Sequence, residues 1–253
     1  MVSVPDTADV VAKRRDVLAA LSTPLSKPEL VEELDTSRST VDRAIDSLTE
    51  HSFVERRGSR YVTTFAGSEA LAAYERFLSR LDSLSRAQPV LAELPSDVEV
   101  NPEILDGAEI VESSMAAPQA PLRSATDLGD GATALYGTGP AVLPHYIEEI
   151  GELVEDGDET ELVLTEEAMD VFSAEYPDAF EQFAGAANLD IHVTDREIPY
   201  IVWVAEKADE TVSGLIVHTD DGVRGVVNND TDAMNEWAKA RYEAFKDDAR
   251  PLE

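Results

Sequence analysis

The sequence predicts an α+β protein in two parts: a small helical unit closed by a β-hairpin, then a larger α/β domain. Three observations lead to this prediction. Apolar residues recur at helical spacing through roughly the first 50 residues, two short β segments follow around a glycine turn, and strand-like segments then alternate with helix-like ones. Such alternation favours a partly parallel sheet covered by helices. The chain has 253 residues, which is enough for two domains.

The charge is divided unevenly between these parts. Residues 1–90 carry a net charge of −2, whereas residues 91–253 carry −30 of the total of −32. Arginine outnumbers lysine by 15 to 5. Dense carboxylates interspersed with apolar residues resemble the proteins of halophiles that accumulate salt, and such a charge destabilises a compact state unless salt screens it. The alternative is an acidic domain that binds a basic partner.

The composition excludes several classes of protein. Without cysteine the chain has no disulfide, no cysteine-ligated zinc and no thiol nucleophile. Its four histidines share no short spacing, so we expect no metal site and no cofactor. The start of the chain lacks the basic and apolar segments of a secretory signal, and the longest apolar run, Tyr200 to Ala205, is too short to span a bilayer. We therefore expect a cytoplasmic protein that does not bind membranes.

Three helices are predicted in the first part. The first ends before Pro24. The second begins after Ser26, whose side chain can cap it, and carries Pro28 in its first turn, where a missing N–H costs nothing. The third runs from about residue 38 to residue 51, with Ser37 as its N-cap. Its inward positions, three and four residues apart, are Val41, Ile45 and Leu48.

A basic hairpin follows the third helix. Two β segments, residues 53–56 and 61–64, flank a turn at Gly58. The hairpin carries Arg56, Arg57 and Arg60. The outward side of the third helix carries Arg38, Ser39, Thr40 and Arg43. Arginines therefore lie on both the helix and the hairpin.

The stretch LDTSRSTVDRAIDSLTEHSFVERRGSRYVTT resembles the helix-turn-helix and wing of archaeal and bacterial winged-helix transcription regulators. The resemblance implies a winged helix-turn-helix that binds double-stranded DNA. The start of a helix that bears Arg, Ser and Thr can hydrogen-bond base edges in a major groove, and hairpin arginines can reach phosphates. The expected DNA-binding residues are Arg38, Ser39, Thr40, Arg43, Arg56, Arg57 and Arg60.

One condition and two alternatives accompany this prediction. The acidic residues Asp42, Asp46 and Glu50 share the third helix, and they should face away from DNA. In one alternative the arginines only solvate the surface of a small helical domain. In the other, the winged helix is a protein-interaction module without specific DNA binding.

Residues 66–88 contain no proline and predict a long connecting helix that Pro89 ends or bends. Four apolar residues on it alternate three and four apart, as in a coiled-coil seam: Leu71, Tyr74, Leu78 and Leu81. We expect a homodimer through this seam, because an operator with two-fold symmetry requires two DNA-binding domains. The alternative is that the seam packs on the chain's own second domain.

The acidic remainder predicts an α/β domain. The expected strands are residues 108–112, 132–136, 161–164, 190–193, 200–204, 211–217 and 223–227. The expected helices are residues 141–153, 168–172, 177–186 and 231–245, with a loop and a short helix within 113–127. The predicted domains are thus a winged helix-turn-helix DNA-binding domain (1–65), a connecting and dimerisation helix (66–94) and an effector-sensing domain (95–253).

Two runs in this domain, GPAVLPHYIEEIGELVEDGDETELVLTEEAMDVFSAEYPDAFEQFAGAANLDIHV and HTDDGVRGVVNNDTDAMNEWAKARYEAF, are similar to the middle domain of archaeal methanogenesis-regulator proteins. The resemblance implies a fold like the α/β sensor domain of TrmB-like regulators, which is phospholipase-D-like. That enzyme family needs His-x-Lys, and no histidine here is followed two residues later by lysine. We therefore expect a regulator and not an enzyme.

A small-molecule effector is the remaining expected partner. The segment Gly137-Thr138-Gly139-Pro140 is predicted to be a loop between a strand and a helix, and a helix N-terminus there can hold an anion. We expect a small anionic metabolite, with Tyr136, Thr138, Gly139 and His145 as candidate ligand-binding residues. The alternatives are an ordinary strand–helix turn and tyrosines that only pack.

Overall fold

The computed structural model describes residues 4–96, 98–142, 144–219 and 222–252. Contacts between Cα atoms divide the chain into two compact units, with the division between Leu81 and Asp82. The first unit consists of helices and a two-stranded hairpin, and the second is built on an eight-stranded sheet. The protein is therefore α+β, with a sheet that is partly parallel.

The elements of the first unit follow the expected order. The helices are α1 (Val4–Ala20), α2 (Lys27–Glu33) and α3 (Arg38–Glu50), the hairpin strands are β1 (Val54–Arg57) and β2 (Arg60–Thr63), and the long helix α4 (Phe65–Leu91) continues into the second unit. Ser37 caps α3, since its Oγ accepts the backbone N–H of Thr40 at 3.2 Å. The Glu29 carboxylate accepts the backbone N–H of Ser26 at 2.7 Å at the start of α2.

The core of the first unit forms where α3 meets α1 and α2. The expected inward residues Val41, Ile45 and Leu48 are buried in one cluster with Leu18 and Leu30. The hairpin lies one residue later in the first strand and one earlier in the second than expected, so Arg57 pairs opposite Arg60. The turn between them is two residues long, with a left-handed Gly58 (φ 67°).

Helix α4 differs from its prediction in two ways. It runs through Pro89 to Leu91, because a proline removes only one helical N–H and the neighbouring Ala87 and Val90 are fully buried in the second unit's core. Leu71 and Tyr74 of the predicted dimer seam pack instead against the core of the first unit.

The elements of the second unit are more extensive than the sequence indicated. After a 3₁₀ turn at Pro102–Leu105, the strands are β3 (Glu109–Glu112), β4 (Ala134–Gly139), β5 (Glu159–Thr165), β6 (Leu189–Thr194), β7 (Ile201–Glu206), β8 (Thr211–Thr219), β9 (Gly222–Asn229) and β10 (Arg250–Pro251). The helices are α5 (Ala120–Gly129), α6 (Pro144–Asp156), α7 (Glu166–Glu175), α8 (Pro177–Ala184) and α9 (Asp232–Lys246).

The sheet has the order β10-β6-β5-β4-β7-β8-β9-β3. Strands β4, β5 and β6 are parallel, and the other neighbours are antiparallel. Helix α9 packs on one face, with Trp237, Tyr242 and Phe245 in the largest core cluster. Helices α5 to α8 cover the other face. Side chains that alternate along each strand thus belong to different cores.

One predicted loop is in fact a strand. Gly137, Thr138 and Gly139 lie within β4. The pairing of β4 with β5 continues to Gly139, whereas its pairing with β7 ends at Gly137. Helix α6 begins only at Pro144. Glycine has a low strand propensity, so the sequence predicted a loop here, whereas the position of this segment between two other strands determines its extended conformation.

None of the helices in the described ranges is both long and apolar enough to cross a membrane.

Candidate nucleic-acid interface

The first two turns of α3 present an exposed polar surface. Arg38, Ser39 and Arg43 are exposed, and Thr40 is half-buried. The Nε of Arg43 donates to the Ser39 backbone oxygen at 3.1 Å, which holds the side chain along the helix. Because a guanidinium has five N–H donors, its two terminal nitrogens remain to bind a partner. This surface combines a charged donor with small hydroxyls at a helix start.

Acidic residues continue the same face, contrary to expectation. At 3.6 residues per turn, Ser39, Arg43, Asp46 and Glu50 lie on one side of α3, opposite the buried stripe. Asp46 and Glu50 are exposed. The carboxylates begin where the basic surface ends, so only the N-terminal half of this face is suited to a polyanion.

Asp42 is neutralised by a residue that the sequence did not single out. Its Oδ1 lies 2.7 Å from the Nζ of Lys27 on α2, and the ammonium lies 5.7 Å from the ring centroid of Tyr61 on β2. The hydrogen bond from Lys27 holds the pKa of Asp42 below its ordinary value, and the same bond raises the pKa of Lys27. Lys27 therefore connects α2, α3 and the hairpin. No short-range motif could have revealed this contact.

The hairpin arginines all have partners within the unit. Arg56 donates from Nε to the Gly58 oxygen at 2.8 Å. Arg57 lies 2.6 Å from the Glu55 carboxylate, and both side chains are largely exposed.

Arg60 is the most constrained of the three. It donates to the Pro24 oxygen at 2.9 Å and to Glu29 at 2.6 Å, the carboxylate that also accepts at the start of α2. Exposed ion pairs contribute only about 0–1 kcal/mol, so Arg57 can exchange its partner readily, whereas Arg60 makes two contacts that position the hairpin.

The predicted effector residues Tyr136, Thr138 and Gly139 lie on β4, and their role in ligand binding stays a prediction. The Oγ1 of Thr138 accepts the backbone N–H of Val202 at 3.0 Å in the interior, where it joins β4 to β7. The ring of Tyr136 packs edge-on against Tyr242 of α9, with 5.8 Å between centroids. Gly139 lies on the opposite face of the sheet, close to Leu164. The His145 side chain lies outside the described residues. The expected anion-binding loop is therefore absent from β4.

A polar cluster joins α9 to the sheet. Glu161 of β5 lies 2.8 Å from His192 Nε2 of β6 and also contacts the Lys246 ammonium. Burial opposes ionisation of Glu161, but hydrogen bonds from Lys246 and His192 hold its pKa below the ordinary value. The strand register places Glu161 and His192 near each other, although the sequence separates them. Across the described ranges, no three His, Asp or Glu side chains are grouped in a way that could hold a metal ion.

Comparisons with known proteins define the class of this chain. Residues 118–248 match the family model described as the middle domain of the methanogenesis regulatory protein FilR1, and residues 6–86 match the model of the HVO_A0261 N-terminal domain. The first match covers more than half of the chain. The protein is thus a member of a regulator family. It belongs to the FilR1 middle-domain family, which confirms the resemblance to methanogenesis regulators.

Solved structures give weaker likenesses. TrmBL2, described as an archaeal chromatin protein, has a TM-score of 0.45 and 12% identity, with 99% of this chain and 100% of that chain covered. The phosphatidylserine synthase of Haemophilus influenzae Rd KW20 has a TM-score of 0.40 and 10% identity, over 80% and 58%. The IclR protein of Thermotoga maritima has a TM-score of 0.22 and 14% identity, over 94% of each chain. At these TM-scores the likenesses establish neither fold nor function. No curated protein matches the chain.

Proposed function

We propose that this chain is a sequence-specific DNA-binding transcription regulator, with the first unit as a winged helix-turn-helix, α3 as its recognition helix and β1–β2 as its wing. The observation that carries the proposal is the exposed start of α3, where Arg38, Ser39 and Arg43 project from a capped helix. Recognition helices contact base edges mainly through their N-terminal residues. Membership in a regulator family supports the same function and argues against catalysis.

The distribution of charge supports DNA as the partner. Residues 1–90 have a net charge of −2 in a chain of −32, and an acidic head would be repelled by phosphate. Arg56 and Arg57 are exposed on the hairpin and suit phosphate contacts. Arg60 instead positions the wing, because it is bound to Glu29 and Pro24. We assign the acidity of the remaining residues to growth at high internal salt.

The regulator acts as a homodimer in this proposal, through a surface shifted from the predicted seam. Leu71, Tyr74 and Leu78 are half-buried, and Leu71 and Tyr74 pack against the first unit's core. Phe77 and Leu81, four residues apart on α4, are 56% and 45% exposed. Apolar side chains at this spacing form a helical stripe that a second copy of the chain can cover.

The second unit is a small-molecule sensor in this proposal, with a phospholipase-D-like fold that lacks the catalytic His-x-Lys. No histidine of the chain has a lysine two residues later. A ligand regulates DNA binding here by favouring one arrangement of the dimer, since a ligand with equal affinity for both arrangements shifts neither.

Mapping of the bound DNA tests the main proposal. Chromatin immunoprecipitation of the tagged protein, followed by sequencing, should give discrete sites with a shared two-fold motif. Fluorescence anisotropy with such a site should show an affinity that falls steeply with salt, as expected for phosphate contacts. Uniform binding across the genome, or binding of the site no tighter than of a scrambled duplex, would contradict sequence-specific recognition.

A protein-docking module is the second candidate. The observation in its favour is the acidic half of the α3 face, Asp46 and Glu50, together with hairpin arginines that already have partners. The double variant Asp46→Asn, Glu50→Gln separates the candidates. If α3 lies against DNA, the repulsion removed is about 0.5 kcal/mol for each charge roughly 8 Å from a phosphate, and affinity rises about two- to fivefold. Unchanged DNA affinity, with loss of a protein partner recovered by crosslinking, favours docking.

A further inference from the structure

The second unit contains a cavity of about 380 Å³ between helix α6 and the sheet. Gly137 and Gly139 form part of its floor, and Leu162, Ile191 and Trp203 are among its apolar walls. Protein interiors are otherwise close-packed, with few voids larger than a water molecule. Small-molecule sites occupy about 300–1,000 Å³, so a compact ligand fits this space.

The floor glycines are not required by the backbone. Neither Gly137 nor Gly139 has a positive φ. A Cβ at Gly137 would come no closer than 3.4 Å to another atom, the Leu162 Cδ2, and one at Gly139 would lie 3.2 Å from a Leu164 methyl. By contrast, a Cβ at Gly214 would lie 2.1 Å from the Trp203 Nε1, so that glycine is needed for packing. The two floor glycines keep space open where side chains could fill it.

The polarity of the cavity restricts its ligand. The Trp203 side chain is buried, and its indole Nε1 lies against Gly214 of the neighbouring strand β8. Burial raises the pKa of Tyr146, so its hydroxyl stays neutral. The described lining contains no Lys or Arg, whereas six carboxylates border it: Asp127, Asp130, Glu149, Glu152, Asp156 and Asp158.

An anion in this cavity would be buried without a positive partner, which is costly, and the carboxylates would repel it. We propose that the cavity beneath α6 binds an apolar organic molecule that is neutral or cationic, with its body against Trp203 and Leu162 and any positive group toward the carboxylates. The role of this ligand in regulation rests on the proposed sensing function. The binding of this ligand to the cavity does not depend on the sensing function, because binding can be measured on the full chain without DNA.

A matched pair of fluorescent probes tests the site. N-phenyl-1-naphthylamine is neutral and apolar, and 8-anilinonaphthalene-1-sulfonate has the same ring system with a negative charge. Titrated into the full chain at high salt, the neutral probe should bind saturably with one site per chain. The sulfonate should bind about tenfold more weakly or worse, because its charge would be buried unpaired.

Two variants on adjacent residues of β4 locate the bound probe. Gly137→Val adds apolar volume to the cavity floor and should weaken the neutral probe about tenfold or more, since overpacking excludes the ligand. Tyr136→Phe removes the hydroxyl from a ring that packs on the opposite face of the sheet against Tyr242. This variant should bind the neutral probe as the parent does. If Gly137→Val does not fold by circular dichroism, Ile150→Trp narrows the cavity from α6.

Three results would overturn the proposal. They are no saturable binding of the neutral probe to the parent, normal binding of that probe to a folded cavity-filling variant, and binding of the sulfonate as tight as that of the neutral probe. If the neutral probe binds as expected but does not change the affinity of the protein for its operator, the cavity site stands and only the sensing function is contradicted.

Discussion

Replacement of Arg43 by alanine is the sharpest test of α3 as a recognition helix. Arg43 is exposed, and its Nε donates to the Ser39 backbone oxygen at 3.1 Å. Surface substitutions of this kind usually change stability by about 0.5 kcal/mol or less, so the variant should fold. In the proposed function, the terminal nitrogens of the guanidinium pair with a guanine in a major groove.

The expected loss follows from that geometry. A bidentate arginine–guanine pair discriminates by about 1–3 kcal/mol, which corresponds to about a 5–150-fold loss of operator affinity. Preference at one base pair should relax at the same time, because the contact that reads it is gone.

Arg76→Ala is the matched control. Arg76 is an exposed arginine on α4 in the same unit, so its removal changes the net charge equally without altering α3. Anisotropy titrations with the operator and with single-base variants should show a large, base-dependent loss for Arg43→Ala and a small, uniform one for Arg76→Ala. Equal losses for both variants, or unchanged base preference, would refute the assignment of α3.

Three further predictions concern assembly and stability. Phe77→Asp combined with Leu81→Asp should give monomers by light scattering, because charges replace the exposed apolar stripe on α4. Phe65→Asp, at a more exposed site on the same helix, should leave the dimer intact, and a dimer that survives the double change would exclude this surface. Transfer from 1 M to 0.1 M salt lengthens the Debye distance from about 3 Å to about 10 Å, so the second unit should unfold first; tryptophan fluorescence reports on it because both tryptophans lie there, and an unchanged spectrum in dilute buffer would contradict the prediction. The lowered pKa of Glu161 means that its ionised form contributes stability at neutral pH, which is lost as pH falls through the folded-state pKa. Glu161→Gln should therefore lower Tm at neutral pH and flatten its decline in acid, unlike the exposed control Glu181→Gln; parallel Tm–pH curves for the parent and Glu161→Gln would show that the cluster does not contribute.

Local signals in the sequence predicted the order of the helices and strands apart from the short 3₁₀ turn and β10, and the resemblance predicted the class of protein. Ser37 followed by an apolar stripe of period 3.6 predicted α3 and its cap, because both effects act within one or two helical turns. The resemblance to methanogenesis regulators was confirmed by the family match. The division of charge was likewise visible, since it depends on composition alone.

Contacts between distant segments decided what local signals could not. Whether Arg60 is free depends on Glu29, 31 residues away, and the charge of Asp42 is balanced by Lys27 of another helix. Leu71 and Tyr74 satisfy the spacing of a dimer seam equally well when they pack on their own unit's core.

The sheet shows most clearly the difference between what local signals predict and what distant contacts decide. The sequence GTG has low strand propensity, yet β4 is a strand because β5 and β7 supply its hydrogen bonds from both sides. Alternation along that strand then sends Tyr136 to the face covered by α9 and leaves the glycine positions on the floor of the cavity. The sequence by itself determined which residues form helices, caps and charged surfaces, because those properties are local. Only the tertiary structure decided which side chains remain available to a ligand, because availability depends on every segment that packs around them.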